Sequence, residues 1–260
     1  MINVFISDSG GPLIYYSNTG DWIWINVEAD TVLTLDKDAV YLIGSPGIII
    51  GSHFESGRLY GRYGIYADST ITIMGSFIGY CGYYGINLYH AHKSKIIGNR
   101  IVDVNTRNFT TGAYISLSAS DECIVEGNTF ERSSNDYGYP YYNIRVTGNN
   151  NKIISNRFIP DPITGPVLNT GSGNKFIDNI NYKTYNSGVA TFSGDGSTTE
   201  FKIEHGLVST PSKYSVVPLS SDAMSYSFTV TVNSTHIIIT YDTAPPSGTD
   251  NLKFYWEAEV

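Results

Sequence analysis

A short pattern of apolar and small residues recurs through the first two thirds of the chain. Each copy has an apolar pair, a small residue, then Ser or Asn, and a further apolar residue two positions on, as in Ile49-Ile50-Gly51-Ser52-His53-Phe54. Aligned on the Ser or Asn, here called the anchor, successive copies are 24, 23, 29, 28 and 23 residues apart. The anchors are Ser52, Ser76, Asn99, Asn128, Asn156 and Asn179. Six copies at this spacing predict a solenoid.

A second pattern keeps step with the first. Short alternating runs such as Ile86-Asn87-Leu88 begin 11 to 13 residues before the next anchor, at Ile65, Ile86, Ile115, Ile144 and Val167. Alternation over a few residues indicates a short strand with one buried face. Two such strands per repeat, with no helical period, predict an all-β fold, a right-handed parallel β-helix of about six coils over residues 26–185. A β-sandwich with coincidental spacing would not keep both patterns in register.

The repeat also predicts which side chains face inward. Three positions before the anchors we expect one buried column, formed by Ile49, Ile73, Ile96, Val125, Ile153 and Phe176. Two positions after them we expect another, formed by Phe54, Ile78, Ile101, Phe130 and Phe158. The anchor asparagines are expected to adopt the left-handed conformation of a sharp corner and to hydrogen-bond from coil to coil as a ladder.

Over residues 26–183 this pattern resembles the parallel β-helix superfamily of pectate-lyase-like proteins. The resemblance concerns the fold. That superfamily includes lyases, hydrolases and non-catalytic viral spikes, so it leaves the function open.

The two ends of the chain fit no coil. Residues 1–25 are expected to cap the solenoid, with Trp22 and Trp24 packing in the core rather than stacking on a ligand. Residues 186–260 contain turn signals such as Gly194-Asp195-Gly196, which separate five or six short strands and predict a small antiparallel β-sandwich.

This C-terminal segment resembles a small β-domain that ends the tail and spike proteins of phages and archaeal viruses. The residues that carry the likeness are Ala190–Gly196, His205-Gly206-Leu207, Val216–Leu219, Thr240–Thr249 and Leu252–Trp256. The resemblance implies a virion adhesin or tailspike that is a homotrimer and contacts a host surface, often a glycan.

Charge and composition exclude several classes of function. The net charge of −8, with only 16 Lys and Arg in 260 residues, argues against nucleic-acid binding. No stretch of 18 apolar residues is present, so we expect no membrane insertion. The N-terminus lacks the pattern of a signal peptide, which leaves export by another route or a fragment of a longer spike. Cys81 and Cys123 are expected to be buried free thiols rather than a disulfide.

Candidate catalytic groups are sparse. The Gly-His-Gly and Arg-x-Lys motifs of polygalacturonase-like enzymes are absent, and Asp103 with Arg132 is expected to form a salt bridge between coils. His90 and His92 are expected to be exposed to solvent rather than to bind a metal, and Asp195 to form a hairpin turn rather than a calcium site. The sequence predicts no cofactor and no metal site.

Two long repeats are the predicted ligand site. The distance from anchor to the next strand is 10 to 13 residues in three coils but 16 after Asn99 and after Asn128, so two neighbouring coils extrude longer loops. Tyrosines crowd the second loop and also the coils around residues 60–89, and Tyr suits both sugar faces and protein surfaces. The loops could instead pack on each other or on another subunit. The expected ligand-binding residues are Asp103, Asn105, Arg107, Asn108, Glu131, Asn135, Asp136, Tyr137, Tyr139, Tyr141 and Tyr142.

Two functions from different classes remain on the sequence alone. The first is a virion surface adhesin, located on the virion or another extracellular surface, that binds a host cell-surface glycan or glycoprotein. The second is a polysaccharide-degrading tailspike or pectate-lyase-like enzyme. A second argument for the homotrimer is a stripe of large aliphatic residues that are expected to face outward, two positions before the anchors. Glu126 interrupts this stripe. Three-fold packing would bury the stripe.

Overall fold

Coils of up to three short strands build the first part of the chain. The structure is a computed structural model and describes residues 2–9, 12–17, 20–32, 37–57, 61–108, 110–133, 139–159 and 162–260. It divides into two compact units, Met1–Asn181 and Tyr182–Val260. The first unit is an all-β right-handed solenoid of about 6 turns, which confirms the predicted fold class.

Strands, numbered along the chain, pair in parallel from coil to coil. In the first strand position of the coils lie β5 (Gly47–Ile50), β8 (Ile71–Met74), β11 (Lys95–Ile97), β14 (Ile124–Glu126), β17 (Lys152–Ile154) and β19 (Lys175–Ile177). In the second lie β6 (His53–Glu55), β9 (Phe77–Cys81), β12 (Arg100–Val104) and β15 (Thr129–Glu131). In the third, a seven-stranded sheet, lie β2 (Ile14–Ser17), β4 (Val40–Ile43), β7 (Tyr63–Ala67), β10 (Tyr84–Tyr89), β13 (Ala113–Ser118), β16 (Tyr142–Val146) and β18 (Val167–Asn169).

The solenoid begins earlier than the sequence pattern indicated. The long strand β3 (Trp22–Val32) pairs with β5 through Trp22–Ile25 and with β6 through Glu28 and Ala29, so it supplies the first two strand positions of a coil. β1 (Ile2–Ser9) lies along the other side of β3 and covers this end. The expected boundary at residue 26 is therefore too late. Trp22 and Trp24 are buried in the core with ring centroids 4.5 Å apart, as expected.

Both predicted core columns are present. Ile49, Ile73, Ile96, Val125 and Ile153 are fully buried and paired in register, and Phe176 ends this column partly exposed. The second column, from Phe54 to Phe158, is at most 2% exposed. The residues two positions before the anchors face outward: Ile50, Met74, Ile97 and Ile154 are half-buried, while Ile177 and Glu126 are exposed.

The anchors form the expected hydrogen-bond ladder. The backbone N–H of each anchor donates to the side-chain oxygen of the next, from Ser52 to Asn179, over 2.9 to 3.1 Å. The prediction that the anchor asparagines themselves adopt the left-handed conformation is wrong, however. The left-handed residue is the one before the anchor, with positive φ at Gly51, Gly75, Gly98, Gly127, Ser155 and Asp178. Asn is selected for the ladder, because its amide can both accept and donate.

A second ladder, five residues before the anchors, has no obvious signal in the sequence. Asn151 N–H donates to Asn174 Oδ1 at 2.8 Å, Cys123 N–H donates to Asn151 Oδ1 at 2.8 Å, and Ile71 N–H donates to Ser94 Oγ at 2.9 Å. Cys81 and Cys123 are free and buried, as predicted, and burial raises the pKa of each thiol.

The second unit is the predicted small antiparallel sandwich. One sheet holds β20 (Tyr185–Gly194), β25 (Gly248–Glu259) and β22 (Lys213–Pro218); the other holds β21 (Glu200–Glu204), β24 (His236–Tyr241) and β23 (Phe228–Val232). A 3₁₀ turn spans Asp222–Met224. The core between the sheets includes Ile237, Leu252 and Phe254. Across the described residues, no helix has the length and apolarity that a membrane crossing needs.

Candidate functional site

The outward side of the seven-stranded sheet carries one residue per coil in register. From the first strand to the last, this row contains Tyr15, Tyr41, Tyr66, Asn87, Ser116, Arg145 and Leu168. The ring centroids of Tyr15 and Tyr41 are 5.7 Å apart at 10°, and those of Tyr41 and Tyr66 are 4.7 Å apart at 8°. Parallel strands in register place equal positions about 4.8 Å apart, which is a stacking distance for aromatic rings.

A second group of tyrosines lies beside this row because of two glycines. A Cβ on Gly64 would stand 2.4 Å from Ile78, and one on Gly85 would stand 2.6 Å from Ile101, so both glycines abut the core. The preceding tyrosines, Tyr63 and Tyr84, stack on each other at 5.5 Å.

These tyrosines join the row into one surface, because Tyr63 also stacks on Tyr66 at 6.0 Å. We call the cluster formed by Tyr15, Tyr41, Tyr63, Tyr66, Tyr83 and Tyr84 the tyrosine face. Tyr15 is exposed, Tyr84 is buried, and the other four are half-buried.

The tyrosine face continues to the first of the two long loops. Tyr83 stacks on Tyr84 with centroids 4.0 Å apart, and its hydroxyl is hydrogen-bonded to Thr111 Oγ1 at the end of that loop. Burial raises the pKa of the Tyr84 hydroxyl and raises that of Tyr66 to about 12. These hydroxyls therefore stay protonated at neutral pH and can donate hydrogen bonds.

Two arginines border the tyrosine face. The Arg62 guanidinium lies 4.3 Å from the centroid of the Tyr63 ring. It also donates hydrogen bonds to the buried carboxylate of Asp38, from Nε at 3.0 Å and from Nη2 at 2.9 Å. Arg145 reaches across β13, where Nη1 donates to Ser118 Oγ at 3.0 Å and to Ser116 Oγ at 3.5 Å. The surface thus offers aromatic rings, hydroxyl groups and a guanidinium along one line of strands, a combination that fits a sugar chain.

The two long loops do lie against each other, but some of the predicted ligand residues make that contact. Asp103 is buried, and its carboxylate accepts from Ser133 N–H at 2.7 Å and from the Ser133 hydroxyl. Asn105 is also buried, and its amide donates to Tyr139 O at 2.7 Å. These two side chains join one loop to the other, and neither is placed to receive a ligand.

The expected salt bridge between Asp103 and Arg132 is wrong. Asp103 bonds to Ser133 instead, and the Arg132 guanidinium lies 3.3 Å over the centroid of the Tyr139 ring. Stacking on an aromatic ring keeps the positive charge without a carboxylate partner.

The other predicted loop residues have mixed positions. Arg107 is half-buried and Asn108 is exposed, while the Glu131 carboxylate accepts from Arg100 at 2.7 and 3.0 Å. Tyr141 and Tyr142 are half-buried, and both backbone N–H groups donate to Gly112 O. The remaining predicted residues, Asn135, Asp136 and Tyr137, lie outside the described residues, as does Tyr60.

A carboxylate pair occupies the outward side of the second strand position, away from the tyrosine face. His53 Nε2 and Glu55 Oε1 are 2.9 Å apart, and the ring of His53 packs on that of Phe77 at 4.4 Å. Burial raises the pKa of Glu55, and the neighbouring carboxyl of Asp30 raises it further through a hydrogen bond and repulsion.

The structure also places His90, His92 and Asp195, which the sequence predicted to be solvent-exposed or part of a turn rather than metal ligands. His90 and His92 are exposed as expected, although His92 Nδ1 contacts Asp121, accepting from its N–H at 3.1 Å. Asp195 forms the expected turn by accepting from Ser197 N–H and Thr198 N–H, and these bonds lower the pKa of its carboxyl. Within the described residues, His, Cys, Asp and Glu nowhere cluster in a group that could hold a metal ion.

The sequence did show a crowd of tyrosines in two coils, but not their arrangement. Tyr15 and Tyr41 were missed because they precede the first anchor. A usable signal was present: each follows the apolar residue that opens its strand, at the same offset as Tyr66 after Ile65.

The chain was compared with curated sequences and with solved structures. No curated protein sequence matches the chain. A protein of Parabacteroides merdae assigned as a glycosyl hydrolase is similar at 13% identity over 64% of this chain and 79% of that one, with a TM-score of 0.40. The tailspike protein gp49 of Pseudomonas phage LKA1 is similar at 9% identity over 100% of this chain and 68% of that one, with a TM-score of 0.30. These likenesses are too distant to carry an argument about fold or function.

The family model for the right-handed β-helix region matches residues 12–181, which agrees with the solenoid from β2 to the last coil and covers more than half of the chain. The chain belongs to the right-handed β-helix family.

Proposed function

We propose that this protein is a virion surface spike that binds a host cell-surface glycan on its tyrosine face. The observation that carries the proposal is the continuous stack of tyrosine rings along the seven-stranded sheet, with Tyr15 at 59% exposure at its open end. A partly exposed row of aromatic rings marks an interaction site, and the ring edges and hydroxyl groups that the row presents suit the hydroxyl groups and apolar edges of sugars.

The direction of the stack suits a chain ligand. Its rings repeat every 4.7 to 5.7 Å along the row, so an extended oligosaccharide that runs along the solenoid would meet one ring after another. The rings are already held by their neighbours, so little side-chain freedom is lost on binding.

The spike assignment rests on the combination of a β-helix with a C-terminal β-sandwich that resembles the end domain of viral spikes. The homotrimer belongs to the same proposal. The half-exposed stripe of Ile50, Met74, Ile97 and Ile154 supports it, since three-fold packing would cover these side chains and leave no open copy of the stripe. Light scattering at micromolar concentration should give three times the chain mass of 28.6 kDa, and a monomer mass would end the trimer claim.

A glycan array with the intact protein tests the binding function. We expect Tyr41→Ala with Tyr66→Ala to lose most binding, because two adjacent rings and their hydroxyl groups are removed from the middle of the row. Tyr255→Ala, which removes an exposed tyrosine of the second unit, is the matched control and should bind as wild type does. If the double variant stays folded and binds normally, the site lies elsewhere. Loss with Tyr139→Ala alone would point to the long loops.

Polysaccharide cleavage is the second candidate function, and the Asp30–Glu55 pair is the observation that favours it. Burial raises the pKa of Glu55, and a raised pKa is what a general acid requires. A reducing-sugar assay on host polysaccharide, with Glu55→Gln as the inactive variant, separates the two functions. Activity that Glu55→Gln abolishes would establish an enzyme, and no activity above the blank would leave binding alone.

A further inference from the structure

The outer face of one sheet in the second unit carries two carboxylates in its middle. Alternation along β25 buries Trp256 and Ala258 in the core, so Glu257 and Glu259 lie on the outer face. β25 is the central strand of this sheet, with β20 on one side and β22 on the other. The two carboxylates therefore have neighbouring side chains from both flanking strands.

A cavity of about 230 Å³ lies on this face, at the end where β25 finishes. Glu259 is paired with Tyr185 on one side and with Lys213 on the other, which brings a ring, a carboxylate and an ammonium group into one row. The volume corresponds to several water molecules at about 30 Å³ each, so the cavity admits one ring-sized group. Its lining includes Tyr185, Lys213, Tyr214, Ser215, Glu257 and Glu259.

The two carboxylates of the cavity differ in their partners. Lys213 Nζ lies 3.1 Å from Glu259 Oε2, so the charges of that pair cancel. Glu257 has no cationic partner among the described residues, and its Oε2 accepts from the hydroxyls of Tyr185 and Tyr255 over 3.5 and 3.3 Å, which is long for such bonds. The cavity thus holds one uncompensated negative charge, in a chain whose net charge of −8 already favours a cationic ligand.

The other lining groups narrow the choice of cation. Tyr185 and Tyr214 are 52% and 43% exposed, and an ammonium group is attracted to the face of an aromatic ring as well as to a carboxylate. Lys213 and Ser215 add hydrogen-bonding groups that suit hydroxyls. A bare metal ion fits less well, since no group of three His, Cys, Asp or Glu that could hold one occurs in the described parts of the chain.

We infer that this cavity binds an amino sugar that carries a free, protonated amine. The ammonium group donates to the Glu257 carboxylate beside the Tyr185 ring, and the sugar hydroxyls bond to Lys213 and Ser215. This is a second glycan site, on a different unit from the tyrosine face, and it selects a different class of sugar. An acidic sugar is disfavoured here by the charge of Glu257.

The test compares two oligosaccharides that differ only at the amine. Calorimetry with the intact protein at about pH 6.5, where an amine of this kind is protonated, measures a trisaccharide of glucosamine beside its fully N-acetylated form. Wild type should bind the free-amine form at least about fivefold more tightly, the size expected for an exposed ammonium contact. Glu257→Gln keeps the side-chain shape and should lose this preference. Glu204→Gln, which removes an exposed glutamate of the other sheet, should keep it.

The outcomes separate this inference from the proposed binding on the tyrosine face. Tyr41→Ala with Tyr66→Ala should bind the free-amine trisaccharide as wild type does, and Glu257→Gln should keep wild-type binding of the glycan selected on the array. Equal wild-type affinity for the two trisaccharides, or a Glu257→Gln variant that keeps the preference, overturns the inference while the tyrosine face stands. A lysine-containing peptide that binds as tightly as the free-amine trisaccharide would overturn the choice of a sugar.

Discussion

Removing one side-chain amide from the middle of the anchor ladder should destabilise the solenoid more than a substitution of an exposed residue does. Asn128 is fully buried, and its Oδ1 accepts from Asn99 N–H at 2.9 Å and from Asn99 Nδ2 at 3.0 Å. Its own Nδ2 donates to Ile96 O at 2.8 Å and to Asn156 Oδ1 at 2.9 Å. In Asn128→Ala all four bonds are lost.

The size of the effect follows from what remains unpaired. Asn156 Oδ1 keeps its bond from the Asn128 N–H, at 3.0 Å. Asn99 N–H and Ile96 O lose these partners inside the protein, while Asn99 Nδ2 keeps its bond to Ile73 O at 3.0 Å. An unsatisfied buried group costs about 1–3 kcal/mol, so we expect Asn128→Ala to lower the free energy of unfolding by about 3–5 kcal/mol once some relaxation is allowed.

Asn174→Ala is the matched control. Asn174 accepts from Asn151 N–H and Nδ2 in the second ladder, but it is half-buried in the last coil, so water can replace it. We expect a loss of about 1 kcal/mol. Urea unfolding followed by fluorescence reports the solenoid through Trp22 and Trp24 and the second unit through Trp256. If both variants lost the same small amount, below about 1 kcal/mol, the ladder would not be a source of stability.

Three further predictions concern the core, a corner and a pH effect. Ile96→Ala should cost about 2–5 kcal/mol in urea unfolding, as a cavity in a packed core does, and a loss below 1 kcal/mol would contradict its burial. Gly98→Ala should cost about 1–2 kcal/mol in thermal unfolding, since φ there is 61° and the site has open space, and no loss would place the corner elsewhere. The raised pKa of Glu55 means that its folded form holds a proton more tightly, so its contribution to stability is present below pH about 4.5 and is lost as pH rises. Glu55→Gln should therefore stabilise slightly at pH 7, by less than about 1 kcal/mol, and not at pH 4; the opposite order would exclude the carboxyl pair.

The fold could be predicted because the inward positions repeat. A buried column such as Ile73, Ile96 and Val125 requires the same kind of residue in every coil, so it is visible as a period in the sequence. The corner chemistry was only half predictable. Gly98 and Asn99 both suit a left-handed residue, and the sequence alone does not tell which one occupies that position and which accepts the hydrogen bond.

The candidate site was harder to predict for two physical reasons. Polar loop residues such as Asp103 and Asn105 can bind a ligand or the neighbouring loop, and both roles require the same hydrogen-bonding groups. The tyrosine face depends on which strands are neighbours across coils of unequal length. Tyr15 and Tyr66 are 51 residues apart in sequence yet share one row, and only the register shows it.

A crystal structure of the protein with an oligosaccharide selected on the glycan array tests the central claim most directly. We predict sugar units that lie along the seven-stranded sheet, in contact with the ring edges and hydroxyl groups of Tyr41 and Tyr66. An oligosaccharide bound instead at the long loops, at the Asp30–Glu55 pair or on the second unit, with the tyrosine face empty, would contradict it.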